Sequence, residues 1–267
     1  MYSEIQKQMP RILAAAGDII CSASHITDCI TAKAGDANFV TEYDVRVQNF
    51  LKAEISALCP DAQFFAEEQE NDPLTDAPTF LIDPIDGTTN FIRGLGQSCV
   101  SVGFYVDKKP LMAWIYQPYA RELFYAKAGE GAYLTKNGKT VRLSRADVPL
   151  SASLSVFGTD PYRKSTTLGE TMRVAGELLA RSLDIRRSGS GALDLANIAA
   201  GRADILYENL LSPWDFGAGR LLVEEAGGVV MRPDGKPLPM DRPSPILAGS
   251  PTACAEFLSE IGYRLND

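Results

Sequence analysis

Apolar residues recur at Ile5, Met9, Ile12, Leu13, Ala16 and Ile20, a helical spacing that predicts an amphipathic helix over residues 4–24. Lys33-Ala34-Gly35-Asp36 reads as a turn. Thr41 is a candidate cap for a second helix reaching about Leu58, with Asp44 in its first turns. Two short apolar runs, 63–66 and 79–82, read as strands that each end in acidic residues, where loops and strand termini can converge on a site. From Ser98 to Thr140 the pattern changes to strands at 100–105, 111–116 and 122–126. Lys108-Lys109-Pro110 and Pro118-Tyr119 separate them as turns, which predicts an antiparallel meander. Asn137-Gly138 is a strong hairpin signal. Beyond about Val148, strands expected at 153–157, 182–187, 204–207 and 228–231 alternate with helices at 165–180, 192–200 and 215–226. No repeat, low-complexity tract or long linker interrupts the chain. It divides into an N-terminal α+β half, 1–147, and a C-terminal α/β half, 148–267, expected to pack as effectively one domain.

Composition narrows the chemistry. A chain of 267 residues, 45% hydrophobic and 22% charged, suits a folded protein with a large core. No apolar run approaches membrane-spanning length, and Met1-Tyr2-Ser3-Glu4 does not read as a signal peptide. Five cysteines without CxxC spacing argue for reduced thiols and a cytoplasmic location rather than a disulfide framework or thiolate zinc site. The net charge of −8 argues against direct nucleic-acid binding, yet leaves room for an anionic small substrate if cations invert the local field. With His25 the only histidine, acid–base work falls to carboxylates, hydroxyls or water on a metal.

Two acidic stretches carry the candidate chemistry: Asp83-Pro84-Ile85-Asp86-Gly87-Thr88-Thr89-Asn90-Phe91, and Ser212-Pro213-Trp214-Asp215. Asp83 and Asp86 flank a proline-stiffened turn, so both carboxylates and the Ile85 carbonyl can face one cavity. Oxygen-only ligands suit Mg²⁺, which shares its shell with waters and substrate phosphate. Gly87 permits close approach of the backbone, and the N–H groups of Gly87, Thr88 and Thr89 bind an anion if they open a helix. Taken alone, Asp44 also suits a helix N-terminus, Asp215 an N-cap, and Glu67-Glu68 a solvated acidic pair.

The string Asp83–Phe91 resembles the defining motif of the inositol monophosphatase family, within a superfamily of Mg²⁺-dependent, lithium-sensitive phosphatases. The resemblance runs through most of the chain. Lys33 with Val40-Thr41-Glu42-Tyr43-Asp44, then Ala66-Glu67-Glu68, are similar to its early elements, with Ala66 where glycine is usual. Arg187-Ser188-Gly189-Ser190-Gly191-Ala192-Leu193-Asp194-Leu195, Gly201-Arg202-Ala203-Asp204 and Trp214-Asp215-Phe216-Gly217-Ala218-Gly219 continue it, with Glu224-Glu225-Ala226-Gly227-Gly228 after them. Two departures stand near the motifs: Arg93-Gly94-Leu95-Gly96-Gln97 lacks a proline often found there, and Gly191 replaces a common alanine.

The resemblance implies an α+β fold layered as an α/β/α/β/α sandwich, a homodimer, and two or three Mg²⁺ per active site. Glu67, Asp83 and the Ile85 carbonyl would hold the first ion, with Asp83 bridging to a second completed by Asp86 and Asp215. Thr88, hydrogen-bonded to Asp44, would orient or deprotonate the attacking water, with Glu67 nearby for a third ion. Lys33 would lie near the phosphate or the ligand network, and Gly87 and Thr88 beside the phosphate. Glu208, seven positions before Asp215, would meet ring hydroxyls, helped by the backbone of Ser190, Gly191 and Ala192. The implied reaction is hydrolysis of a phosphate monoester by metal-activated water, with myo-inositol 1-phosphate leading. Fructose 1,6-bisphosphate, histidinol phosphate and 3′-phosphoadenosine phosphates are alternatives. A regulatory protein-binding role on the same fold, as in bacterial members that join the transcription machinery, is the competing reading.

Overall fold

Helix α1 (Tyr2–Cys21) buries the stripe Ile5, Met9, Ile12, Leu13, Ala16 and Ile20, as its spacing requires. The computed structural model describes residues 2–33 and 39–264. The expected turn at 33–36 therefore lies, beyond Lys33, outside the described residues. A short antiparallel pair, β1 (Ile30–Ala32) and β2 (Phe39–Thr41), leads into α2 (Glu42–Leu58). Thr41 and Asp44 close a capping box at its start: each side chain serves the other's backbone N–H, which satisfies two orphan donors.

The first sheet is seven-stranded, in the order β3 (Gln63–Ala66), β4 (Thr79–Asp86), β5 (Cys99–Val106), β6 (Lys109–Gln117), β7 (Glu122–Lys127), β8 (Gly131–Lys136), β9 (Lys139–Arg142). β3 lies parallel to β4, and the rest form the expected antiparallel meander. One expected turn moves. Asp107 and Lys108, both at positive φ, make the β5–β6 connection, while Lys109 and Pro110 begin β6. Pro110 is tolerated there because the register shifts beside it.

Helix α3 (Thr88–Ile92) follows β4 directly. The second sheet has the order β11 (Asp184–Arg186), β10 (Leu154–Phe157), β12 (Ile205–Leu211), β14 (Ser244–Gly249), β13 (Val229–Met231). Its strands β11, β10 and β12 run parallel, and β14 pairs antiparallel with both β12 and β13. Its outer face is covered by α4 (Lys164–Arg181) and α7 (Pro251–Glu256), through a core that includes Val174, Leu178, Tyr207, Leu247 and Phe257.

Between the sheets lie α5 (Gly191–Ala199) and α6 (Pro213–Glu225). Their apolar residues Leu195, Ile198, Phe216 and Leu222 share one cluster with Ile115 and Phe124 of the first sheet and Leu206 and Ile246 of the second. With α1 and α2 packed on the other face of the first sheet, the order of layers is α/β/α/β/α, as the resemblance implied. The starts of the two middle helices meet the end of β4, and that junction positions the site.

Candidate active site

Residues three apart on a regular strand point to opposite faces. Asp83 and Asp86 escape this because β4 is irregular between them: Asp83 pairs with Ser101 and Asp86 with Cys99, so three steps on one strand face two on the other. Pro84, which has no N–H to give the ladder, occupies the irregularity. The expected turn at Pro84 is therefore a bulged strand, which serves to bring both carboxylates to one side. Gly87 then turns the chain at φ +88, where an added Cβ would lie 2.9 Å from the Gln97 carbonyl oxygen.

Each carboxylate is held by a neighbouring backbone. Asp83 accepts the Ile85 N–H at 3.0 Å. Asp86 accepts the Ser190 hydroxyl and the Ala192 N–H, both at 2.6 Å, at the N-terminus of α5. Asp215 occupies the third position of α6 and accepts the Ser212 N–H at 2.7 Å, within a capping box. One oxygen from each of Asp83, Asp86 and Asp215 lies within 4.8 Å of the others. Burial pushes the Asp83 and Asp215 carboxyls far up, and the charges of Glu67 and Asp86 add to it for both. Burial also raises Asp86, against the hydrogen bonds of Ser190 and Ala192. Three crowded, desolvated, oxygen-only ligands fit a hard divalent cation, whose charge would remove that repulsion.

Glu67 and Lys33 face the same cavity, but not as a free pair. The Lys33 ammonium bonds Glu67 at 3.1 Å and also Glu68, whose backbone N–H donates to the Gln48 side-chain oxygen at 2.8 Å. Lys33 is thus tied to the acidic residues at the end of β3. Burial raises Glu67 to about 7, against the neighbouring Lys33 charge. Asp44 is anchored by the Thr41 N–H at 2.8 Å and hydroxyl at 2.6 Å, both on Oδ2. Its Oδ1 faces the Thr88 hydroxyl at 3.4 Å, and that hydroxyl also lies 3.2 Å from the Ile85 carbonyl. Asp44 is therefore a helix-cap partner and a member of the site at once.

The cavity over these groups has a volume of about 620 Å³. Ser190, Gly191 and Glu208 line it together with Asp86 and Asp215. Glu208 sits inside β12 rather than past its end, and is 8% exposed. At Gly191 a Cβ would meet Leu211 at 2.9 Å and stand 3.6 Å from a Glu208 oxygen, so the missing methyl leaves room between them.

Several residues of the wall had no role assigned from the sequence. Asp194 is buried, with burial raising it to about 7. Asn90 bridges the end of the motif to the start of α5, donating to the carbonyls of Gln97 at 2.7 Å and Ser188 at 2.9 Å. Asp160, Tyr162 and Arg163 come from the β10–α4 connection, and Arg187, beside them, donates to the Thr159 hydroxyl at 3.1 Å. That connection lies between the strand expected at 153–157 and the helix expected at 165–180.

The sequence profile of the inositol monophosphatase family matches residues 1–262. The chain belongs to that family. It is 38% identical to an inositol monophosphatase of Mesembryanthemum crystallinum over 226 residues, covering 83% of this chain and 82% of the plant protein. It is 35% identical to the Nus factor SuhB of Escherichia coli, covering 96% of this chain and 95% of that one. The solved inositol monophosphatase of Anabaena superposes with a TM-score of 0.81 at 30% identity, over 97% of this chain and 95% of that one. Membership and the acidic junction together identify a metal-dependent phosphatase that hydrolyses phosphate monoesters.

Proposed function

We propose that the substrate is the phosphate monoester of a polyol, with myo-inositol 1-phosphate first among candidates, and that Mg²⁺ is the cation. The observation that carries this is the trio Asp83, Asp86 and Asp215 gathered at the N-termini of α5 and α6, beside the Thr88–Asp44 pair. Helix N-termini favour anions, so the position suits both the carboxylates and an incoming phosphate. Glu67, Asp83, the Ile85 carbonyl, Asp86 and Asp215 would hold two or three ions. Bound there, Mg²⁺ would neutralise phosphate charge and make a water nucleophilic.

The chain's own groups supply positioning, the main requirement of phosphoryl transfer. Thr41 occupies Asp44 Oδ2, leaving Oδ1 to accept a hydrogen bond from the Thr88 hydroxyl. Thr88 Oγ1 then offers lone pairs only, so it accepts a hydrogen from the attacking water and aims the water oxygen at phosphorus. Gly87 and Thr88 flank the phosphate, and Lys33 keeps Glu67 in place while adding positive charge. On the leaving-group side, Glu208 accepts hydroxyl hydrogens, and Ser190, Gly191 and Ala192 complete the contacts.

The test is phosphate release from a panel of inositol, sugar, amino-alcohol and nucleotide phosphates, in Mg²⁺ and in EDTA. Mg²⁺-dependent release led by inositol 1-phosphate, and inhibited by Li⁺, is expected. Release led by a nucleotide would end the polyol reading.

A homodimer is part of this proposal. α4 exposes Leu168, Met172 and Leu179, and Leu183 follows it, an apolar strip suited to a second copy. The cytoplasmic placement rests on five cysteines with no disulfide. A second reading, regulatory protein binding, is favoured by the identity to the E. coli Nus factor SuhB across 96% of this chain. A partner recovered equally by wild type and by Asp86→Asn would support that role beside catalysis.

A further inference from the structure

The β10–α4 connection supplies an acidic wall to the cavity. Gly158 leaves that connection against Glu208: a Cβ at Gly158 would fall 1.9 Å from the Glu208 carboxyl carbon. Only glycine allows the carboxylate to seat there. The Asp160 N–H supports the same carboxylate. Asp160 itself takes φ 36 directly before Pro161, and its carbonyl accepts the Arg163 N–H at 3.2 Å to close the turn. This conformation is open to Asp, Asn and Gly more than to other residues.

The Asp160 carboxylate lines the same cavity as Glu208 and is 3% exposed. Its Oδ2 has no hydrogen-bond partner within the protein, although buried carboxylate oxygens are costly to leave unpaired. Burial raises the Asp160 carboxyl, and the Arg163 charge and the Thr167 hydroxyl oppose that shift.

A buried carboxyl oxygen with no donor of its own needs a hydrogen bond from outside the protein. A wall made of Glu208 and Asp160 is therefore best met by donors on the ligand. The several hydroxyls of a cyclitol or sugar provide them; a phosphate or an unsubstituted aryl group does not. We propose that Asp160 is a specificity-determining residue that, together with Glu208, accepts hydroxyl hydrogens from the polyol leaving group. This deepens the polyol-phosphate reading and rests on it.

The experiment compares wild type with Asp160→Asn and Asp160→Gly, both compatible with positive φ, at saturating Mg²⁺. Substrates are inositol 1-phosphate, glycerol 2-phosphate, ethanolamine phosphate and 4-nitrophenyl phosphate, and melting temperatures verify folding. A lost hydrogen bond to a buried carboxyl acceptor predicts a rise of about tenfold or more in KM for the preferred polyol phosphate. The kcat and KM for the aryl ester should stay within about twofold of wild type, which a merely structural role for Asp160 would not allow. Equal loss on all substrates, or loss on none, would overturn the proposal while leaving the polyol reading intact. A loss confined to ethanolamine phosphate would assign the wall to an ammonium group instead and also overturn it. Wild type that prefers glycerol 2-phosphate, with selective loss in the variants, would remove the inositol assignment and keep Asp160. Wild type that cleaves only the aryl ester would overturn both.

Discussion

Asp215 shows how much one side chain is asked to do at the junction of β4, α5 and α6. Its carboxylate caps α6 through the Ser212 N–H and also crowds Asp83 and Asp86. Asp215→Asn keeps an acceptor for Ser212 but removes a charge. In cation-free protein the variant should melt at or above wild type, while turnover is nearly abolished. A melting temperature well below wild type would mean that the cap, not the charge, dominates. Thr88 separates in the same way. Thr88→Ser should retain most activity, whereas Thr88→Ala should lose roughly 10²–10⁴-fold in kcat, the usual scale for a group that manages a proton. Equal rates for the two would remove Thr88 from the reaction.

These residues were legible in the sequence because motif residues adjoin them: the Asp-x-x-Asp-Gly-Thr string, and the proline and tryptophan before Asp215. Asp160 was not. It belongs to a loop, and its importance arises from a neighbour 48 residues away in β12 that no local pattern announces.

At the scale of elements, periodicity located the long helices and the meander, because one face of each is buried and the other is wet. Among those that escaped it are β14, α7 and β1. β14 contains Pro245, which normally argues against an inner strand. Here the register with β12 shifts between Glu208 and Leu211, opposite that proline, so no ladder bond is missed. α7 has six residues and then widens into a π turn at Phe257–Ile261, too short to display a period. β1 is mostly exposed and carries no alternation of burial.

How closely α6 approaches the first sheet was equally hidden. Gly103 of β5 stands where a Cβ would touch the backbone of Gly217 and Ala218 at 3.2 Å, and Tyr105 donates to the Gly217 carbonyl at 2.8 Å. Gly103→Val should therefore push α6 outward and cost about 1–3 kcal/mol of stability, as overpacking does. Because Asp215 rides on the first turn of that helix, kcat should fall as well. Denaturant unfolding and steady-state kinetics on one preparation test both. A stable variant with normal kcat would show that the helix end is positioned independently of this contact.

Across the whole molecule, the concentration of buried acids makes stability a function of cation and pH together. Burial lifts Asp44 to about 6 and Glu67 and Asp194 to about 7, and carries Asp83, Asp215 and Glu208 well above the carboxylate range. Unfolded carboxyls ionise near pH 4. Between about pH 4 and pH 7 the folded state thus holds protons that the unfolded chain has released, and stability falls as pH rises. Acids such as Glu122, kept low by hydrogen bonds from Arg202, act oppositely: the stability they add is constant above about pH 5 and is lost as pH falls below it. Above that, in EDTA, the melting temperature should decline steadily toward pH 8. Mg²⁺ competes with protons for the ligand carboxylates, so the stabilisation it gives should be small near pH 5 and grow with pH. Asp194 lies outside the ligand trio and should leave a shallow residual slope even at saturating Mg²⁺. Calorimetry from about pH 5 to pH 8, with Mg²⁺ and with EDTA, measures this directly. A melting temperature indifferent to Mg²⁺ at pH 8, or rising with pH in EDTA, would mean that the buried acids are neutralised by some means other than a cation at Asp83, Asp86 and Asp215.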